Sequence, residues 1–361
     1  MSTQTTTPED APPAASRSGA TAIAAVLRRS AIGRYAGVLV GLLIVSLYLT
    51  ITQDTFLTWN NITNIVASNS VILILAIGAT FVIISAGIDL STVSAMAACA
   101  LVFGLTLEAG WAAPVAIVAT VAFGLFIGSL NGFMISKLKI SFLVVTLGTL
   151  SIFQSFALVV NDGATISVFS TAGFGPIKEF VNGDLGPIPT LMIFDAVLLL
   201  VAGGVLRYTS FGRALFAVGS NPEAARLNGV NVAAVLLAVY AIAGLAAGLA
   251  SVVQVGRLTG ASPESDPSML MTVIAAVLIG GTAYTGGEGG VLGTMIGVLF
   301  LGVIQNGLTL SDVSSFWQGM VSGLILIGAV GLGMLRGRGI RIRRSRASTA
   351  PGSGGPAPGP A

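Results

Sequence analysis

Apolar runs of close to 20 residues, separated by short polar breaks, fill this chain from Ala31 to Leu335 and leave few folds open to it. About 20 apolar residues in helical form cross the ~30 Å hydrocarbon core of a bilayer, so the series predicts an all-α, polytopic transmembrane helix bundle. Ten spans are expected, near residues 33–52, 66–86, 91–108, 112–135, 141–160, 189–206, 231–255, 268–284, 290–308 and 315–335. Gly280 and Gly281 interrupt the eighth. Only 9% of residues are charged, against roughly 25% in soluble domains, and no large aqueous domain fits.

The cations predict the orientation. With both termini in the cytoplasm, all of the 17 Lys and Arg residues except Lys178 and Arg257 fall on the inner side, as the positive-inside rule requires. Trp59, Trp111 and Trp317 then lie at outer ends of spans, where an amphipathic indole suits the interface. The net charge of +3 thus reports topology, and the basic run Arg336 to Arg346 reads as an anchor to anionic lipid rather than a nucleic-acid site. Residues 1–30 and 337–361 are expected as cytoplasmic tails around a transmembrane domain at 31–336, the first span remaining as a signal anchor. Histidine is absent and Cys99 is the one cysteine, which removes the commonest general base, a disulfide within the chain and a thiolate metal cluster. No catalytic, metal or cofactor site is expected.

Glycines recur at helical spacing inside spans: Gly37 and Gly41, Gly124 and Gly128, Gly244 and Gly248, Gly293 and Gly297, Gly319 and Gly323. Each pair flattens one helix face, so a compact bundle with close helix approaches is expected. Two connections are long. Residues 161–188 should face outward, as a docking surface for an external protein or a plain crossover, and residues 207–230 should face inward. The inner insert is built to hold a short exposed helix. Asn221 can cap it, Pro222 suits its first position, Glu223 complements its dipole, and Gly229 can take a left-handed exit.

Asp89 is the charge of greatest interest. It either borders a pathway at a helix break marked by Gly87, or, with Ser91, caps the third span; the two roles can coexist. A weak echo links residues 85–89 to 285–289, each with an acid after glycine at the end of an outside-to-inside span. The run Gly280 to Gly290 lacks the Gly-Lys-Ser/Thr of a phosphate loop and reads as a hinge. Asn131 and Asn306 are polar positions within spans that either line a path or bridge helices.

The stretch TSFGRALFAVGSNPEAARLNGVNV (209–232) resembles the coupling loop of permease subunits of bacterial ABC sugar importers of the ribose, xylose and arabinose type. SAGIDLS (85–91), NGFMISKLKISFLVVTLGTL (131–150) and VIAAVLIGGTAYTGGEGGVLGTMIG (273–297) extend the likeness over most of residues 60–335. Ala86 stands where that family usually has Gly, and Thr92-Val93-Ser94 where it usually has Val-Gly-Ser. The resemblance implies an inner-membrane import subunit for a small polar solute, most simply a monosaccharide, with no enzymatic activity of its own. It implies a separate ATP-binding ABC subunit, an extracytoplasmic solute-binding protein and a second permease copy. Coupling to the ATPase would fall on Gly212, Arg213, Asn221, Pro222, Glu223, Ala224, Ala225, Arg226 and Gly229. The pathway or hinge would fall on Gly87, Asp89, Ser91, Asn131, Gly280, Gly281, Gly286, Gly287 and Asn306. The same class of importer for branched-chain amino acids or nucleosides, and an ATPase-independent transporter, are the rival readings. An intramembrane enzyme fits poorly without histidine or a paired acidic metal motif.

Overall fold

The computed structural model describes residues 31–314 and scattered helical positions between Trp317 and Gly328. The expected tenth span and both tails therefore lie wholly or largely outside the described residues. Among the described residues nine apolar helices run back and forth: α1 (Ala31–Thr52), α2 (Trp59–Ile84), α3 (Thr92–Glu108), α4 (Ala113–Ser136), α5 (Phe142–Val160), α7 (Thr190–Tyr208), α10 (Val232–Leu258), α11 (Pro267–Ile279) and α12 (Val291–Leu310). Between them lie α6 (Gly175–Asn182), α8 (Ser210–Ser220), α9 (Pro222–Leu227) and two small antiparallel ribbons. In the ribbons β1 (Ile166–Ser167) pairs with β4 (Gly260–Ala261), and β2 (Asp184–Leu185) with β3 (Ile188–Pro189).

Seven of the apolar helices are long and apolar enough to cross a membrane. The other two, α3 and α11, have 17 and 13 residues. The expected span at 268–284 is thus shortened. At 1.5 Å per residue α11 covers only about 20 Å, because the chain leaves helical geometry at Gly280. The second span errs the other way. Its helix starts at Trp59, not near 66, because Thr58 caps it by accepting from the Asn61 amide, so that Asn60, Asn61 and Asn64 are helical despite their polarity.

Burial, not hydropathy, separates the layers. Residues Asn69 to Ile84 of α2 are buried without a break, and nearly all of α3 is enclosed as well. On α4 the buried positions form one stripe, Ala116, Thr120, Gly124, Gly128 and Asn131, while Val118, Leu125 and Phe126 face outward. Lipid is as apolar as leucine, so in a bilayer the inward face is chosen by small size rather than by hydrophobicity. The α4–α10 seam shows this. A Cβ added at Gly124 or Gly128 would land on the Gly244 or Tyr240 carbonyl, and one at Gly244 would land on the Gly124 carbonyl. The expected approach of these glycine pairs is observed, as is that of Gly297 against Ala276, whereas a Cβ at Gly323 meets nothing within 4 Å among the described residues.

The loops gather at two ends. At one, Trp59 Nε1 donates to Pro187 O, Gln53 meets Ser311, and β1 pairs with β4. Residues 161–188 are more than a solvated crossover there, since Ile177 and Val181 of α6 pack on Gly256. At the other end lie the 85–91 connection, the α8–α9 insert and the 280–290 connection.

Candidate functional site

The insert divides into two helices with different duties. Sequence alone suggests one exposed element, but α8 is anchored: Gly212, Leu215, Val218 and Gly219 are buried, and the Phe211 ring stacks on Phe81 of α2 with centroids 6.4 Å apart. A Cβ on Gly212 would strike the Leu206 carbonyl, so Gly212 belongs to this anchor, while Arg213 is exposed.

The exposed part is α9, and its ends are closed as expected. Asn221 Oδ1 accepts from the Ala224 amide at 3.0 Å, and Pro222 occupies the first turn. At the far end Gly229 (φ +82) donates to Arg226 O and Val230 donates to Ala225 O, both at 3.0 Å, a paired C-terminal closure. Glu223 and Arg226, exposed at 65% and 68%, form an ion pair of 2.7 Å, and the carboxylate holds the guanidinium above its ordinary pKa. Such an exposed pair adds little stability. Ala224 is exposed, but Ala225 is only 4% exposed and packs into its own chain, which corrects its assignment to the docking face. Leu227, 78% exposed on the same helix, is an exposed apolar side chain that sequence reading did not single out. Its signal was a leucine in a short helix otherwise rich in polar and small residues.

Beneath α9 three separate segments meet. Gly287 donates its amide to Ile84 O, the last helical residue of α2, at 2.9 Å. A Cβ at Gly219 would land on the same Ile84 carbonyl, one at Gly286 would lie 2.6 Å from the Ala86 Cβ, and one at Gly287 would collide with Ser220. The sequence echo of 85–89 and 285–289 therefore becomes a physical contact, with the end of α8 wedged against both. Gly286 (φ +79) and Gly287 (φ +74) need left-handed backbone as well as the missing side chain. Gly280 and Gly281 serve nearby, Gly280 by abutting the Gly293 carbonyl and Gly281 by turning the chain at φ +88.

The end of α2 closes with Ala86 N donating to Ile83 O and Gly87 N to Val82 O. This motif calls for a left-handed residue, usually glycine, and here Ala86 holds it at φ +64. Asp89 follows, 8% exposed, with Oδ1 accepting from the Ser91 amide at 2.9 Å and the Ser91 hydroxyl at 2.6 Å. Asn131 Nδ2 of α4 donates to the same hydroxyl at 2.9 Å. Asp89 thus organises the start of α3 and is also tied to α4. Burial pushes its carboxyl pKa up, against the two Ser91 bonds, which lower it.

Two buried polar atoms beside this group have no partner, Asn131 Oδ1 and Tyr240 OH. A buried group left unpaired costs about 1–3 kcal/mol. Tyr240 was not anticipated; its signal was a phenol in the interior of an otherwise apolar span. Asn306 does not join the site. It forms a reciprocal amide pair with Asn61 (3.0 and 2.8 Å) near the opposite end, clamping α12 to α2. Among the described residues no group of three or more His, Cys, Asp or Glu could hold a metal, and Cys99 is buried and free.

A multi-pass apolar bundle that presents a capped polar helix on a junction leading into its interior has the architecture of a membrane transport permease. Comparison with known proteins makes this specific: residues 61–330 match the family described as branched-chain amino acid transport system / permease component, and the chain belongs to it. It is 34% identical over 292 residues to the ribose import permease protein RbsC of Escherichia coli (strain K12), covering 81% of this chain and 91% of that one. To the RbsC protein of Bacillus subtilis (strain 168) it is 36% identical over 295 residues, with the same coverage. The xylose transport system permease protein XylH of E. coli (strain K12) is 31% identical over 345 residues, covering 79% of this chain and 88% of the relative. No solved structure matches the chain.

Proposed function

We propose that this chain is the transmembrane subunit of an ATP-driven importer of a monosaccharide of the ribose or xylose class. The observation that carries the reading is α9, closed at both ends, exposed along Glu223, Arg226 and Leu227, and mounted through α8 on the Ile84–Gly287 junction. Neither water nor lipid requires such a helix. An ATP-binding ABC subunit would grip it from the cytoplasm, and the junction would carry its displacement to the 85–91 and 280–290 connections. Alternating access follows if the ATPase holds one arrangement of the junction more tightly than the other.

In this reading the insert end is cytoplasmic in the bacterial inner membrane. Lys137, Lys139, Arg207, Arg213 and Arg226 share that end, while Lys178 and Arg257 lie at the other. An extracytoplasmic solute-binding protein would dock on the α6 side, and a second permease copy would complete the pathway. The family description names branched-chain amino acids. The sugar reading is preferred because the ribose and xylose permeases align over 88–91% of their own length.

The test is reconstitution in vesicles with the ATPase and the binding protein encoded beside this chain. Uptake of labelled ribose or xylose, dependent on ATP and on the binding protein, is expected. Uptake of leucine in place of the sugars would overturn the solute, and sugar uptake that persists without the ATPase would overturn the mechanism.

A further inference from the structure

Tyr240 of α10 is 1% exposed, and its hydroxyl has no hydrogen-bond partner. The ring ends against the 85–91 connection: a Cβ built at Gly87 would lie 2.7 Å from the hydroxyl oxygen and 3.5 Å from Ser85 Oγ. Any side chain at position 87 would fill the space between the phenol and that connection. Two residues on is Asp89, whose two side-chain hydrogen bonds, both from Ser91, fall on Oδ1. A buried donor without an acceptor thus stands beside the segment that carries a carboxylate oxygen, Oδ2, outside the Ser91 bonds.

The two groups belong to different supports. Tyr240 is held where α10 meets α4 at backbone distance, with its own carbonyl against Gly128. The 85–91 connection is tied through Ile84 and Ala86 to Gly287, Gly286 and Gly219, and so to the insert. Asn131 bridges the gap from α4 through the Ser91 hydroxyl. A push on α9 is passed to the 85–91 connection through this junction and, through residues 228–231, to the start of α10, so it can shift the connection and Tyr240 relative to each other.

We propose that Tyr240 is a positioning residue that donates its hydroxyl to Asp89 in the second conformation of the transport cycle. The hydroxyl is idle in the arrangement described above and engaged when the insert is displaced, so the new bond favours that second state. Interior packing with alternative partners is bistable rather than continuously deformable, which lets a small displacement select between two arrangements. The inference rests on the importer reading for the source of the push, not on the identity of the solute.

Tyr240→Phe removes only the oxygen and breaks no bond of the first arrangement. Spin labels at Ala217→Cys on α8 and Ala234→Cys on α10, both exposed positions, would report their separation in the complex with the ATPase, with the buried Cys99 replaced by Ala. Wild type should show a second distance when a non-hydrolysable ATP analogue is added. Tyr240→Phe should keep the resting distance but populate the second about fivefold less, the effect expected for one hydrogen bond. In an Asp89→Asn background the same substitution should add less than about threefold, because residues in one hydrogen-bond pair are not additive. An unchanged nucleotide-dependent population in Tyr240→Phe would overturn the proposal, as would an equal effect in both backgrounds or a wild type with no second distance. If the second distance appears while neither ribose nor xylose is carried, the solute assignment fails and the partner exchange stands.

Discussion

Gly287→Ala tests whether the junction beneath α9 is as tight as its contacts imply. Gly287 has φ +74, and an added Cβ would lie 2.9 Å from Ser220 Cα and 3.0 Å from its Cβ, with the Ser220 hydroxyl closer still. Gly110 supplies the control, with φ +80 and nothing within 4 Å of a built Cβ. Left-handed backbone costs a non-glycine residue roughly 1–2 kcal/mol, and this applies to both substitutions. Only Gly287→Ala adds overpacking, about 1–3 kcal/mol when the neighbour is backbone. The totals are therefore about 1–2 kcal/mol for Gly110→Ala and about 2–5 kcal/mol for Gly287→Ala. Unfolding of both variants and wild type in matched mixed micelles would measure the difference, and vesicle uptake would measure its consequence. Gly287→Ala should lower uptake at least about tenfold, since each ~1.4 kcal/mol is one decade in an equilibrium, while Gly110→Ala should transport normally. Equal destabilisation by the two variants, or normal uptake by Gly287→Ala, would refute the reasoning.

Leu227→Asp should leave the melting temperature unchanged yet weaken copurification with the ATPase about 10- to 100-fold, from the ~1.5–3 kcal/mol of one buried leucine; undiminished binding would remove Leu227 from the interface. Ala225→Trp should instead lower the amount of folded protein, because Ala225 is buried in its own chain, and a well-folded variant that fails only in docking would contradict that placement. Ala86→Gly should raise stability by up to about 1 kcal/mol, the relief of left-handed strain less the added freedom of glycine in the unfolded chain; a lower melting temperature would show that the methyl contact with Gly286 matters more. Single cysteines at Ala217 and Ala234, in a Cys99→Ala background, should resist membrane-impermeant reagents added from outside, whereas one at Phe169 should react. Labelling of Ala217 from outside would invert the topology.

Much of the fold was legible before any coordinates. Length and apolarity alone place the helices, because a bilayer leaves the backbone of a spanning segment no alternative to internal hydrogen bonding. The closures of α9 were legible for a related reason: Asn221, Pro222 and Gly229 act on their own neighbours, and local chemistry needs no knowledge of distant residues. Hydropathy could not say which face of each helix turns inward, since core and lipid are equally apolar. The glycine pairs carried that information in part, and the α4–α10 seam bears it out. Three things waited for the tertiary structure. One was the meeting of Ile84, Gly219 and Gly287, residues far apart in sequence whose contact depends on where three helices end. Another was the parting of Asn306 from Asn131 to opposite ends of the bundle, though both are asparagines in apolar spans. The third was the orientation of α9, which buries the small Ala225 and leaves the larger apolar Leu227 exposed. A six-residue helix has no periodicity long enough to declare its buried face, so the element that packs beneath it decides.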